Sequence, residues 1–200
     1  IQLQQEMRNR LISIETRNLG LNIGGAKILN DVSLSAQQGQ ILGVIGPNGA
    51  GKTSLFNLIS GVRKATSGQI FINDLEITEK SIHERSRLGL ARTFQTSSIF
   101  PFLSVLENVR LASEASRNES FNIFRAAKSN QQALNGAQDA IEQVGLTNKI
   151  GAIAGSLSHG DKRRLEIAIV MASHASIVML DEPMAGMSVE NIPALVELIR

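Results

Sequence analysis

Cysteine is absent from the 200 residues, which excludes disulfides and thiolate metal sites and permits a cytosolic address. An excess of one charge is missing too. Twenty basic residues meet 18 acidic ones for a net charge of +2, so the composition makes no case for nucleic acid, whose partners usually show a clustered basic stripe. Long apolar runs are also lacking. A membrane span needs about 18 consecutive apolar residues, and the nearest approach, Ile167 to Leu180, is broken by Ser173, His174 and Ser176. The opening Ile1-Gln2-Leu3-Gln4-Gln5-Glu6 is too polar for a signal peptide. Either Met7 is the native start or the chain is a window cut from something longer. If a membrane is involved, a partner must supply it. No internal repeat or low-complexity tract occurs. What is present, 42% apolar and 19% charged residues, belongs to one globular domain with room for an inserted subdomain.

The patterning alternates strands and helices. Leu11 to Glu15 and Ile28 to Leu34 read as half-buried strands, and Gln40 to Ile45 as a near-continuous apolar run typical of a buried parallel strand. A glycine-rich loop follows, and Thr53 to Ser60 then carries Leu55, Phe56, Leu58 and Ile59 at helical spacing, with Gly61 placed as a C-cap. Gln69 to Ile72 is a short strand closed by an Asn73-Asp74 turn. Ser81 to Leu90 is predicted helical, and Ala91 to Gln95 returns as a strand. Ser104-Val105-Leu106-Glu107 is a capping box opening a helix to about Ala115. Asn118 to Asn130 reads as polar and irregular. A helix from Gln131 to Val144 presents Ala133, Leu134, Ala137, Ile141 and Val144 on one face and ends at Gly145. Asp161 to Ser173 is a further helix, and Ser176 to Leu180 a buried strand leading into Asp181-Glu182-Pro183. The expected fold is an α/β core carrying a helical subdomain: a nucleotide-binding core with a β edge over 1–95, helices over 96–170, and a return to the core over 171–200.

The loop Gly46-Pro47-Asn48-Gly49-Ala50-Gly51-Lys52-Thr53 carries the chemistry. Glycines let successive N–H groups turn inward on an anion, and the following helix adds its N-terminal dipole. Lys52 supplies a point charge for phosphates, and the Thr53 hydroxyl, next to Ser54, can ligate Mg²⁺. The strand before and the helix after are the context that this phosphate loop requires. Asp181, at the carboxyl end of an apolar strand, is placed to hold Mg²⁺, and Glu182 to polarise a water as general base. Leu157-Ser158-His159-Gly160-Asp161 precedes a helix. It is either a simple N-cap or an anion site built on Ser158 and Gly160.

Taken in order, the phosphate loop, Gln95, Leu-Ser-His-Gly-Asp and Leu-Asp-Glu-Pro resemble the ATP-binding subunits of ABC transporters, over nearly the whole chain from Leu11 to Arg200. Within that family the stretches IGPNGAGKTSLFNLISG, ARTFQTSSIFPFLSVLENV, LSHGDKRRLEIA and LDEPMAGM look most like importers of branched-chain amino acids and related amides or urea. The resemblance implies a P-loop NTPase fold with a mixed, largely parallel sheet, an antiparallel β edge and an inserted helical subdomain. It implies ATP and Mg²⁺ as ligands. ATP would sit between the phosphate loop of one protomer and Ser158 and Gly160 of an identical or sister protomer. Gln95 would reach the Mg²⁺ and sense a transmembrane permease subunit at the cytoplasmic face of the inner membrane, with no nucleic acid as partner.

Three positions depart from the family pattern. Ile23 stands where an adenine-stacking aromatic residue is usual, Ser188 where an aspartate is, and Asp161 where a glutamine is. The family's switch histidine would follow a further strand beyond Arg200, so the resemblance implies a C-terminally incomplete domain. His83, His159 and His174 read as surface or capping residues. Phe100-Pro101-Phe102-Leu103 either lines a groove for a membrane subunit or packs within the helical subdomain. Lys162-Arg163-Arg164 is either a solvated face or a nucleotide contact. Two rival functions remain at this level: a soluble ATPase of the same type that remodels a nucleic-acid or ribosomal complex, and a nucleotide-gated dimerisation module with weak hydrolysis.

Overall fold

The computed structural model describes residues 12–93, 99–115 and 123–181. Gln95, Glu182 and Ser188 lie outside them. The chain divides into two compact units, residues 1–90 and 91–200.

The first unit is built on a long hairpin, β1 (Ile12–Ile23) and β2 (Ala26–Gln37). Gly24 and Gly25 join them, both with positive φ, the backbone that a two-residue hairpin turn demands. With β3 (Ser67–Ile72) and β4 (Leu75–Glu76) they form an antiparallel sheet in the order β2-β1-β3-β4. The pleat sends Leu19, Leu21, Ile70 and Ile72 into the core. Thr16 is buried among them, but its hydroxyl is satisfied, donating to Val32 O and accepting from Leu34 N–H.

Helix α1 (Lys52–Ser60) buries Leu55, Leu58 and Ile59, and Gly61 ends it in the left-handed region at φ 82°. The short α2 (Ile82–Arg87) starts in a capping box between Ser81 and Glu84 and carries Arg85. Arg85 is buried, and its guanidinium donates to four carbonyls: Leu58 O (2.6 Å), Ile59 O (2.7 Å), Thr78 O (2.7 Å) and Lys80 O (2.9 Å). Two of these acceptors are in the last turn of α1, where helix geometry leaves carbonyls without partners and the dipole is negative.

The second unit packs α3 (Val105–Ala115), α4 (Ile123–Gln143) and α5 (His159–Ala172) around Val105, Val109, Ala137, Ile141, Leu146, Leu165 and Ala168. Its strands β5 (Leu90–Arg92) and β6 (Ile177–Met179) pair with each other, β5 opening at the last residue of the first unit. The Ser104–Glu107 capping box forms as expected. Asn108, which the sequence reading passed over, is buried and clasps both backbone groups of Phe100.

Three expectations are corrected. Ile41 to Ile45 form no strand; Ile41 and Ile45 are 63% and 94% exposed. Apolar character alone does not make a strand: the backbone needs a neighbouring strand to bond, and none pairs with this run among the described residues. Helix α4 begins at Ile123, so residues 123–130 are helical rather than irregular. The helix formers Arg125, Ala126, Ala127 and Lys128 outweigh the polar composition there. In β6 only Met179 is buried, and Val178 is exposed.

Replacing Arg85 by Met keeps most of the stem and strips every donor, leaving buried carbonyls unsatisfied. A loss of about 3 kcal/mol is expected in urea unfolding. Arg85→Lys, a point charge without the fork, is expected to lose about half of that. A native-like midpoint for Arg85→Met would show that the clamp does not hold α1.

Candidate functional site

The phosphate-loop candidates share one turn of chain. Gly46 to Ala50 are exposed, and Ala50 N–H closes a turn on Pro47 O at 3.2 Å. Gly49 (φ 81°) and Gly51 (φ 90°) hold backbone that side chains rarely adopt. A Cβ on Gly51 would lie 2.8 Å from Leu29 Cδ2, so glycine also lets the start of α1 approach β2. The end of α1 facing the loop is left open: Gly51 offers no capping side chain, and no acidic residue stands in the first turn. Leu55 N–H makes an intrahelical bond to Gly51 O, and the N–H groups of the preceding turn have no acceptor within the helix. No acidic side chain of the helix's own first turn competes for that end.

Lys52 Nζ folds over this loop and donates to Gly46 O (2.7 Å) and Pro47 O (2.8 Å). Thr53 beside it is exposed and Ser54 half-buried. Ile23, at the tip of the hairpin, is 42% exposed and offers an apolar surface where the resemblance expected an aromatic one. Uncapped N–H groups, left-handed glycines and the Lys52 ammonium fit a polyphosphate, and the Thr53 hydroxyl is a hard oxygen donor of the kind Mg²⁺ takes.

The remaining described candidates are in the second unit. Ser158 is the N-cap of α5; its Oγ accepts from Asp161 N–H (3.2 Å) and donates to Asp161 Oδ2 (2.6 Å). A Cβ on Gly160 would meet nothing within 4 Å, so the packing of its own chain does not require glycine there. Lys149 Nζ also reaches Asp161 Oδ2 at 2.5 Å, and Arg164 stands 4.0 Å from the other oxygen. Burial alone would raise the Asp161 carboxyl; hydrogen bonds from Lys149 and Ser158 outweigh it and hold the group below its ordinary 3.8. Lys149 was not anticipated, since nothing local links it to a carboxylate that the fold brings close.

Asp181 is buried at the end of β6. Its Oδ2 pairs with Arg92 at 3.0 Å, and its N–H donates to Thr93 Oγ1 at 3.3 Å. Its carbonyl accepts from Arg163 at 2.7 Å, and Arg163 pairs with Glu166 at 2.6 Å. Arg163 is therefore neither a solvated charge nor a nucleotide contact as read from Lys162-Arg163-Arg164. It is buried, because the side of α5 that carries Arg163 and Glu166 also carries Val170 into the interior. The i, i+3 spacing of Arg163 from Glu166, itself flanked by Leu165 and Ile167, was the legible signal. Phe100 and Phe102 are 57% and 89% exposed, so packing within the helices is not their role.

Antiparallel β edge, phosphate loop and helical unit together define a P-loop nucleotide-binding ATPase. Known proteins agree. The family model described as "ABC transporter" matches residues 29–185. The high-affinity branched-chain amino acid transport ATP-binding protein BraF of Pseudomonas aeruginosa is 35% identical over 195 residues, 94% of this chain and 76% of that protein. The corresponding protein LivG of Escherichia coli K12 is 36% identical, covering 96% of this chain and 77% of its own length. An ATP-binding cassette of an ABC transporter, solved in its ADP conformation, superposes with a TM-score of 0.80 at 29% identity, covering 94% and 76% of the two chains. This chain belongs to the ABC transporter family, as one of its ATP-hydrolysing subunits.

The depressed Asp161 carboxyl sets an acid dependence. A lowered folded-state value contributes stability that is full above the unfolded value and is lost as pH falls through the lower one, here below 3.8. Urea midpoints measured from pH 7 to pH 2.5 are expected to fall more steeply for the native chain than for Asp161→Asn. Parallel curves would remove Asp161 from the balance.

Proposed function

We propose that this chain is the motor of an importer for a small solute, of the branched-chain amino acid, amide or urea kind. It would work on transmembrane permease subunits at the cytoplasmic face of the inner membrane. The observation that carries the reading is the exposed Gly46–Thr53 loop at an uncapped helix N-terminus, in a chain this similar to the amino acid transport proteins. Among the described residues no helix is long and apolar enough to cross a membrane, so a partner would supply the channel. In this layout residues 1–95 form the nucleotide-binding core, 96–170 the helical subdomain and 171–200 the return to the core.

Bound ATP with Mg²⁺ supplies the phosphoanhydride to be cleaved and the charge that neutralises it. The protein's part is positioning. Lys52 leaves two neutral carbonyls for phosphate oxygens, a stronger, charge-assisted pairing. Backbone N–H groups from Gly49 to Ser54 cradle the same phosphates, and Ile23 lies against the base. Thr53, Gln95 and Asp181 are the residues that would hold Mg²⁺ by their oxygens, and Glu182 would take the proton from water. Ser158 and Gly160 present the start of α5 to nucleotide held by a second protomer, identical or sister. The exposed Phe100 and Phe102 suit an apolar segment of the permease.

Extracting the complete protein from its own membranes in mild detergent tests the assembly. A stoichiometric integral membrane partner, seen by native mass analysis, is the expected result. Recovery only in the soluble fraction, or on RNA or ribosomes, would overturn the transport role. Glu182→Gln is expected to lower turnover at least about a hundredfold with nucleotide still bound, and unchanged turnover would exclude Glu182 as the base.

A further inference from the structure

The chain holds two Asn-Gly steps, Asn48-Gly49 in the phosphate loop and Asn135-Gly136 in α4, and the fold treats them oppositely. Such a step can close on itself. The glycine nitrogen, once it gives up its proton, can attack the side-chain carbonyl carbon of the asparagine, since no Cβ on the glycine obstructs it. Whether it does depends on how far that nitrogen and that amide are already engaged.

In the loop neither is engaged. Ala50 N–H bonds to Pro47 O, which makes Asn48 and Gly49 the two central residues of a turn. That bond leaves the N–H of the third residue unused, and Gly49 takes the positive φ, 81°, that a third position often asks for. Among the described residues, neither the Gly49 N–H nor the Asn48 side chain has a hydrogen-bond partner. Both residues are exposed, and a Cβ on Gly49 would meet nothing within 4 Å. In α4 the opposite holds. Helix geometry commits the Gly136 N–H to the carbonyl four residues back. The Asn135 side-chain oxygen accepts from Gln131 Nε2 at 3.0 Å, and a Cβ on Gly136 would lie 3.4 Å from Ser113 Oγ. The dipeptide is the same, and the backbone makes the difference.

We propose that Asn48 is a site of spontaneous deamidation, which ages the empty phosphate loop and against which bound nucleotide shields it. The Gly49 nitrogen loses its proton to water or hydroxide and forms a bond to Asn48 Cγ. The bond from Cγ to the side-chain nitrogen breaks, and that nitrogen takes up a proton and leaves as ammonia. Water then opens the cyclic imide. Opening at Cγ gives aspartate, and opening at the main-chain carbonyl gives isoaspartate, whose chain runs through the β-carbon. Nothing is oxidised or reduced. Either product puts a carboxylate in a loop that otherwise turns N–H groups and Lys52 towards phosphate, so like charges meet. The shielding, unlike the chemistry, rests on the function proposed above: a phosphate that takes the Gly49 N–H removes the nucleophile.

The test incubates the full-length protein with its permease partner in mildly alkaline buffer, with and without Mg²⁺–ADP. Peptide mapping by mass spectrometry reads the change from amide to acid at each asparagine, and isoaspartate-specific methylation reads the rearranged product. Without nucleotide, Asn48 is expected to convert at least about a hundredfold faster than Asn135, whose reacting atoms the helix holds out of line. Saturating Mg²⁺–ADP is expected to slow Asn48 about tenfold or more and to leave Asn135 unchanged. Asn48→Asp should keep the native thermal midpoint and lose at least about tenfold in affinity for a fluorescent ATP analogue. Equal rates at the two asparagines, or an Asn48 that outlasts Asn135, would overturn the proposal. So would an undiminished rate with nucleotide shown to be bound, or native affinity in Asn48→Asp. A native complex that converts Asn48 as expected but binds no nucleotide would instead overturn the proposed function and leave the deamidation site standing.

Discussion

A helix can offer its N-terminus to an anion only if that end is left unsatisfied and the other end is not. Helix α1 meets both conditions. Its first turn has no capping side chain and no acidic residue, while its last carbonyls and its negative pole are answered by the buried guanidinium of Arg85. The same guanidinium ties down Thr78 O and Lys80 O, so the chain after β4 is fixed to the helix. Gly61 is part of the arrangement: a Cβ there would come within 3.0 Å of Arg85 Nε. The rigidity that a phosphate loop needs is thus supplied at the opposite end of the helix, without occupying the end that does the work.

The second unit uses buried arginine differently. Arg92 and Arg163 converge on one residue, Asp181, one at its carboxylate and one at its carbonyl. Neither bond adds much net stability, because each brings a charge out of water. Each does hold Asp181 in place at the end of β6. Arg85 gathers carbonyls from two stretches of chain, and one of them, Leu58 O, also accepts the Gly61 N–H, whereas Arg163 divides its fork between the Asp181 carbonyl and Glu166.

What could be read in the sequence was whatever is punctuated locally. The Gly61 cap, the Ser104–Glu107 box and the Ser158 cap each announce themselves within a few residues, and each is found where expected. The phosphate loop is as local a signal, but the strand expected before it does not form. The face of α4 carrying Ala133, Ala137 and Ile141 was legible for the same reason, a period of 3.6. The start of α4 was missed because polar composition was weighed above the helix propensity of Arg125 to Lys128. Contacts that close over long separations left no trace: Arg85 to Leu58, Arg92 to Asp181 and Lys149 to Asp161 are set by the fold alone. Arg163 was misjudged because three successive basic residues look like one solvated patch. A helix turns about 100° per residue, so consecutive residues face different ways.

The aspartate in the signature stretch shows how such a departure can be absorbed. Asp161 puts a carboxylate in the first turn of α5, where the dipole favours it but an incoming phosphate would not. Lys149 and Arg164 neutralise it from either side. The Ser158 hydroxyl now spends its proton on Asp161. In the proposed dimer it can donate to phosphate only by leaving that carboxylate, and Lys149 stays behind to hold it. A glutamine at the same position would need no such countercharge. The aspartate and Lys149 therefore form one unit, in which the lysine supplies the countercharge that a carboxylate at the start of α5 needs.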